Sequence, residues 1–505
     1  MKTPRLLWIV LCLSGLAGVK SPAADPKPSA AVAAALPEIE RLFADYQIDA
    51  RLPGVVYGIV AGGRLQHLTA RGVQDLETRA PVTADSVFRI ASMTKAFTAL
   101  GILGLRDEGK LRLDDPAELH VPGMRGWPRA TADSPPVTVR DLVHHTAGFV
   151  TDDPWADRQE DMREEDFSAL IAGGVPFTRA TGTQFEYSNL GYALLGRIIA
   201  NAAGRPYAEH LRATLLEPLG MSASGFEITA VPAARRTHGY RWEENRWKRE
   251  PDLSAGAFSS IGGLCTSAKD YARWVAFLLS AWAPGDAVAD APVSRASVQE
   301  LAQGYGPVRL RPRFGGNQAG SPDFATVYGM GFHAGQDRDL GRVLFHGGGY
   351  PGYGSHLLLL PDAGVGVFAF ANRTYSGPAG PVWDAALVLH RHGALAPKPQ
   401  PVSPEVAAAY EVVGKVYQAG RVEAAAEAVA MNFFLDRSPE VWDVELARLK
   451  AATGECDTAS PIRATGVLSG QFEWRGATGR LSGALILSPE SPPRIQALKL
   501  ELLSP

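Results

Sequence analysis

Cysteine is almost missing from this 505-residue chain, which holds only Cys12, Cys265 and Cys456. So few cysteines exclude a disulfide-built scaffold. Cys265 and Cys456 fall in different predicted domains and are expected to be free, buried thiols, with a disulfide between them as the alternative. Histidines, cysteines and carboxylates nowhere cluster at metal-ligand spacing, so no metal is expected. His144 and His145 are adjacent and would not both face one ion from a regular element; hydrogen bonding is expected of them instead. Basic clusters are also lacking. With 50 Lys+Arg against 53 Asp+Glu, the formal net charge is −3, which argues against nucleic acid as a partner. No glycine-rich stretch ends in Gly-Lys-Ser/Thr, which disfavours a phosphate-binding loop, and no cofactor is expected. The apolar stretch at residues 6–18 is too short to span a bilayer comfortably. Lys2 and Arg5 precede it and Ser21-Pro22-Ala23 follows, so residues 1–23 read as a secretory signal. Cleavage after Ala17 and an uncleaved anchor are the alternatives. Export to the periplasm or beyond, with no membrane span in the mature chain, is the expectation.

What is present is an ordinary globular composition, 46% hydrophobic and 20% charged, long enough for one large domain and a smaller one. Residues 30–46 carry Leu36, Ile39, Phe43 and Tyr46 on one helical stripe. Residues 54–61 and 65–70 read as strands joined at Gly62-Gly63, and 356–360 with 365–371 as a second hairpin. Together with a strand near His346, these predict one antiparallel sheet, with a helix over 381–390 packed back on it. Residues 93–279 look mostly helical. The predicted class is α+β: a sheet flanked by helices with a helical region beside it. Two polar segments, 152–165 and 304–322, read as loops that either border a cleft or lie solvated at the surface. Prolines at 397, 399, 401 and 404 mark 393–404 as a stiff linker between a domain at 30–392 and a smaller one at 405–505. The small domain reads as three helical segments, the second over 424–434, followed by an antiparallel meander. It shows no catalytic constellation. A binding, packing or dimerising role is expected of it, and the oligomeric state is open.

Three motifs carry chemistry. Ser92-Met93-Thr94-Lys95 places a hydroxyl and an amine three residues apart at a helix start, on one helical face. A serine hydroxyl is a weak nucleophile until a base takes its proton. Taken alone, this spacing more often marks a helix start with an exposed cation. Tyr187-Ser188-Asn189 sits where a loop enters a helix. There Tyr187 could relay a proton and Asn189 orient a carbonyl or hold the lysine; a helix cap and a half-buried aromatic are the plainer reading. His346-Gly347-Gly348-Gly349 has glycines that admit close backbone approach, and an extended edge there with free N–H groups could help stabilise an oxyanion; a glycine-rich turn with a surface histidine is the plainer reading.

In this order the three motifs resemble the penicillin-recognising serine hydrolases: class C β-lactamases, D-alanyl-D-alanine carboxypeptidases, D-aminopeptidases and related esterases. The resemblance extends through Gly109 to Pro116, Asp141-Leu142-Val143-His144-His145-Thr146-Ala147-Gly148 and Gly262-Gly263-Leu264-Cys265-Thr266-Ser267-Ala268-Lys269-Asp270, and spans about residues 30–390. It implies the same α+β architecture, with the site between sheet and helical region. It also implies an acyl-enzyme on Ser92, with Lys95 or Tyr187 as the base. The Ser92 N–H and a group on the strand after His346-Gly347-Gly348, taken as Gly349, would be the oxyanion donors, and Asn189 would contact Lys95 or a substrate amide. The family usually has Lys-Thr-Gly where this chain has His346-Gly347-Gly348, and that lysine and threonine help hold a substrate carboxylate. A histidine is only partly charged near pH 7. Expectation therefore shifts towards a small-molecule acyl substrate: an ester, a D-aminoacyl amide or a peptidoglycan-like amide. A β-lactamase or carboxypeptidase is the first alternative, and a slowly turning over sensor or non-catalytic scaffold the second. Arg311 and Arg313 are candidates for a substitute clamp.

Overall fold

A computed structural model describes residues 28–285, 291–314, 323–396 and 400–503. The predicted leader, residues 1–23, lies outside them.

Helix α1 (Ala30–Asp49) buries Val32, Ala35, Ile39 and Phe43. The hairpin of β1 (Gly54–Ala61) and β2 (Arg64–Gly72) follows, turning at Gly62 and Gly63, both at positive φ. Helix α2 (Thr94–Asp107), α3 (Asn189–Ala203) and α4 (Ala268–Ser280) form the centre of the helical region. α2 is apolar on almost every side and is enclosed accordingly; Phe97 stacks on Trp274 with centroids 3.7 Å apart. The chain then returns through β3 (Pro307–Pro312), β4 (Asp323–Tyr328), β5 (His333–Asp337), β6 (Gly341–Tyr350), β7 (Tyr353–Leu360) and β8 (Val365–Ala371) before α5 (Ala379–Arg391). One antiparallel sheet runs β2-β1-β8-β7-β6-β5-β4-β3.

Alternation along the strands gives each face its own core. Val56, Leu357, Leu359, Phe368 and Phe370 face the helical region. Tyr57, Ile59, Leu358, Val367 and Ala369 face α1 and α5, where Trp383 is fully buried. The expected α+β class is what the structure shows, with three further strands. The segment 304–322 is not simply a loop, because β3 begins inside it, while 315–322 lies outside the described residues. β3 is the sheet edge, which tolerates its two terminal prolines and the exposed Leu310.

Beyond the proline-rich segment, α6 (Pro404–Ala419) and α7 (Pro439–Thr453) cover a four-stranded antiparallel sheet of β9 (Arg463–Gly466), β10 (Ser469–Arg475), β11 (Arg480–Leu487) and β12 (Ile495–Leu503). Their core, from Val406 to Leu500, is a separate cluster. The helix expected over 424–434 does not form. Val429 bridges Ile495 instead, which needs extended backbone there, so only the turns Val422–Ala425 and Phe433–Asp436 remain helical. Cys265 and Cys456 are free and buried.

Candidate active site

The approach to Ser92 is tightly held. A short strand, Val87–Arg89, pairs with Cys265–Ser267. Ile90 then donates its N–H to Leu264 O at 3.0 Å, and its carbonyl accepts from Ser355 Oγ at 2.7 Å. Ala91 has φ 49°, a left-handed conformation that is unfavourable for a residue with a Cβ. The tight turn Ala91–Met93 leads into α2 and leaves Ser92 half-exposed at its start.

Lys95, one turn on, is fully buried. Its Nζ donates to Ser92 Oγ at 3.1 Å, Asn189 Oδ1 at 2.6 Å and Ile261 O at 2.8 Å. Burial lowers its pKa to about 8, against the pull of Asp153, Asp157, Asp152 and Glu160. Lys95 Nζ also lies 4.9 Å from the Tyr187 ring centroid and 5.5 Å from that of Tyr192. The Tyr187 phenol is influenced by the neighbouring Ser92 hydroxyl, and burial pushes its pKa well above the usual phenol value.

Asn189 opens α3 but is not its cap. Ser188 caps the helix through Gly191 N, while the Asp152 carboxylate accepts from Asn189 N at 2.7 Å and Leu190 N at 2.9 Å. The Asn189 amide is used at both ends: Oδ1 meets Lys95, and Nδ2 donates to Asp153 Oδ1 at 2.8 Å.

His346 is on β6, buried beside Tyr328. Its Nδ1 lies 2.6 Å from Gly347 O, and a carbonyl only accepts, so Nδ1 carries the proton. Nε2, 3.1 Å from the Tyr328 hydroxyl, is therefore the acceptor. Burial holds the His346 pKa well below the usual imidazole value. The sequence suggested a partly charged histidine; the structure gives a neutral one with both nitrogens engaged. Arg313, proposed as a substitute clamp, is buried and paired with Asp337 and Asp339 at 3.6 and 2.6 Å. The side chain of Arg311 lies outside the described residues.

Past Phe345, β6 leaves its pairing with β5 and runs beside the Ser92 turn. A Cβ on Gly348 would lie 2.3 Å from Ile90 O and 2.1 Å from Ser355 Oγ, so only glycine lets strand and turn meet this closely. Gly349 packs against the Tyr375 ring, and the Tyr375 hydroxyl reaches Asp157 at 3.1 Å. His145 accepts from Ser188 N at 3.1 Å through Nδ1 and packs among Tyr187, Tyr192 and Tyr328.

The structure thus gathers Ser92, Lys95, Tyr187, Asn189, His346 and Gly348, with Gly349 on the same strand. Sequence reasoning missed the acidic group Asp152, Asp153, Asp157 and Glu160. These lie in the charged segment read as a cleft-border or solvated loop, yet Asp152, Asp157 and Glu160 are buried, Glu160 is paired with Arg89 at 3.5 Å, and all four carboxylates act electrostatically on Lys95.

A buried lysine beside a half-exposed serine is set between an antiparallel sheet and a helical region. The Beta-lactamase family model matches residues 39–391, and the chain belongs to that family of hydrolases. Protein flp of Staphylococcus aureus is 28% identical over 327 residues, covering 64% of this chain and 60% of that protein. The match thus spans less than two thirds of that relative's length. Esterase EstB of Burkholderia gladioli is 32% identical over 222 residues, 41% of this chain and 56% of that one. Among solved structures, an octameric penicillin-binding protein homologue from Pyrococcus abyssi superposes with TM-score 0.58 at 20% identity, covering 90% of this chain and 91% of that chain. A class C β-lactamase mutant gives TM-score 0.55 at 20% identity, covering 70% and 96%. These two establish likeness of fold.

Proposed function

We propose that this protein is an exported serine hydrolase that acylates Ser92 and acts on neutral esters or amides in preference to β-lactams. The observation that carries the reading is the buried Lys95 amine, 3.1 Å from Ser92 Oγ, with its pKa lowered to about 8. A neutral amine has two protons. Asn189 Oδ1 and Ile261 O, the two shorter contacts, take them, and the lone pair is then free to accept from the Ser92 hydroxyl. Tyr187, held as a phenol, is a proton carrier rather than a base. Ser92 Oγ attacks the carbonyl while its proton passes to Lys95 Nζ, and the negative charge developing on oxygen is met by the N–H groups of Ser92 and Gly349. Tyr187 gives its proton to the leaving alcohol or amine and recovers one from Lys95. Water then attacks the acyl-enzyme, its proton returns to Ser92 by the same groups, and the acid departs.

The substrate preference follows from His346. A neutral histidine with both nitrogens engaged offers no charge to a β-lactam carboxylate, and a charge-assisted hydrogen bond is typically worth about 1.5–3 kcal/mol. Its loss handicaps an anionic substrate roughly 10- to 150-fold relative to a neutral ester. The likeness to Esterase EstB supports the same preference. The test compares kcat/KM for p-nitrophenyl butyrate with that for a chromogenic cephalosporin, beside Ser92→Ala. A ratio above one that vanishes in the variant is expected. A ratio well below one returns the protein to the β-lactamase side of the family, and a single turnover without steady state makes it a sensor.

A further inference from the structure

The Asp152-Asp153 pair contacts nothing that reacts, yet it grips Asn189 from two directions. Asp152 holds the backbone N–H groups of Asn189 and Leu190, and Asp153 Oδ1 takes one proton of the Asn189 amide. An amide has a carbonyl end and an NH2 end of nearly equal size. If the Asn189 amide turned over, its NH2 would face the Lys95 amine, donor against donor. A carboxylate at the other end forbids that, because it only accepts. The result is a continuous hydrogen-bonded chain: Asp153 to Asn189 at 2.8 Å, Asn189 to Lys95 at 2.6 Å, Lys95 to Ser92 at 3.1 Å.

We propose that Asp153 is a positioning residue for the hydrolytic reaction, orienting the base Lys95 through the Asn189 amide. The inference rests on the reading of Ser92 and Lys95 as nucleophile and base. Its logic is that of any base held by a third group.

A consequence for pH follows. Lys95 is faced by Asp152, Asp153, Asp157 and Glu160 from the acidic segment, and by Ser92 from the preceding turn. Tyr187, Asn189 and Tyr192 face it from the start of α3, the neutral His145 from the turn before the acidic segment, and the neutral His346 from β6. Among the carboxylates Asp153 is the strongest in favouring the protonated amine. Removing its charge while keeping an acceptor lets Lys95 lose its proton at lower pH. The acid limb of the reaction then moves down, which a merely structural residue would not produce.

The experiment measures the rate constant for fluorophosphonate labelling of Ser92 across pH, in the full chain, for wild type, Asp153→Asn and Asp153→Ala. Asp153→Asn can still accept from Asn189. Its plateau rate is expected within about threefold of wild type, with the acid limb lower by about half a unit or more. Asp153→Ala frees the amide, and its plateau is expected to fall about tenfold or more. An Asp153→Ala plateau within about threefold of wild type overturns the orienting role. An acid limb in Asp153→Asn that stays or rises overturns it too, and that variant alone decides if Asp153→Ala does not fold. Wild-type protein that takes no label at Ser92 fails at the earlier step and refutes the nucleophile reading itself.

Discussion

Lys95 draws its role from being buried with three acceptors around one nitrogen. With the amine held at about 8, roughly a tenth of it is neutral at pH 7, since each pH unit is a tenfold change. Activity is therefore expected to climb about tenfold per unit up to pH 8 and then level off, read from kcat/KM against pH on a neutral ester. Lys95→Ala and Tyr187→Phe should each lower turnover by about 10² or more without unfolding the protein. Near-normal rates in both would refute the proton path. The spacing of Ser92 and Lys95 was legible because a helix fixes which side chains share a face, and the resemblance then joined Tyr187 and Asn189 to them. The charge state of His346 was not legible. It depends on burial and on Tyr328, which arrives from another strand. Nor was the acidic group, since charged residues in a loop carry no sequence mark that separates a solvated surface from a buried lining.

Between elements, the decisive contact is the passage of β6 beside the Ser92 turn. Its glycines are not equivalent. A Cβ at Gly347 would find its nearest neighbour, His356 Nδ1, at an ordinary 3.4 Å, whereas at Gly348 it would meet backbone at 2.3 Å. Gly347→Ala is therefore expected to keep stability and esterase activity near wild type. Gly348→Ala should lose about 1–3 kcal/mol by forcing strand and turn apart, with a larger fall in activity because the turn carries Ser92. Thermal unfolding beside ester hydrolysis distinguishes them, and equal behaviour of the two variants would deny that this approach builds the site. The β1–β2 and β7–β8 hairpins were readable from alternating apolar residues and turn glycines. β3, β4 and β5 were not: β3 is an edge strand that buries little, and the short β4 and β5 carry too few strongly apolar residues to stand out from the polar segment around them. The failed helix over 424–434 has the opposite cause: good helix formers there are drawn into extended backbone by a bridge to Ile495, 66 residues further on in the chain.

Among the described residues, the three largest cores lie one on each face of the eight-stranded sheet and one among residues 406–500. The site stands on the first, between the sheet and α2, and every residue assigned a part in it lies before 392. Leu395 still belongs to the second core, which also holds Trp383 and residues of α1, so the first domain carries its apolar complement to that point. The third core draws its Trp442, Phe472 and Trp474 contacts from within its own segment. A chain ending after Ala396 keeps Leu395 and both sheet-face cores. It is expected to fold and to take a fluorophosphonate label on Ser92 at a rate within a few-fold of the full chain. If the shortened protein labels normally but associates or precipitates, the C-terminal module serves packing or assembly, a role compatible with its apolar surface residues Met431, Leu435 and Val444. If labelling is lost while the far-ultraviolet circular dichroism of the first domain persists, residues 400–503 help to shape the site, and the division of labour drawn from the cores is wrong.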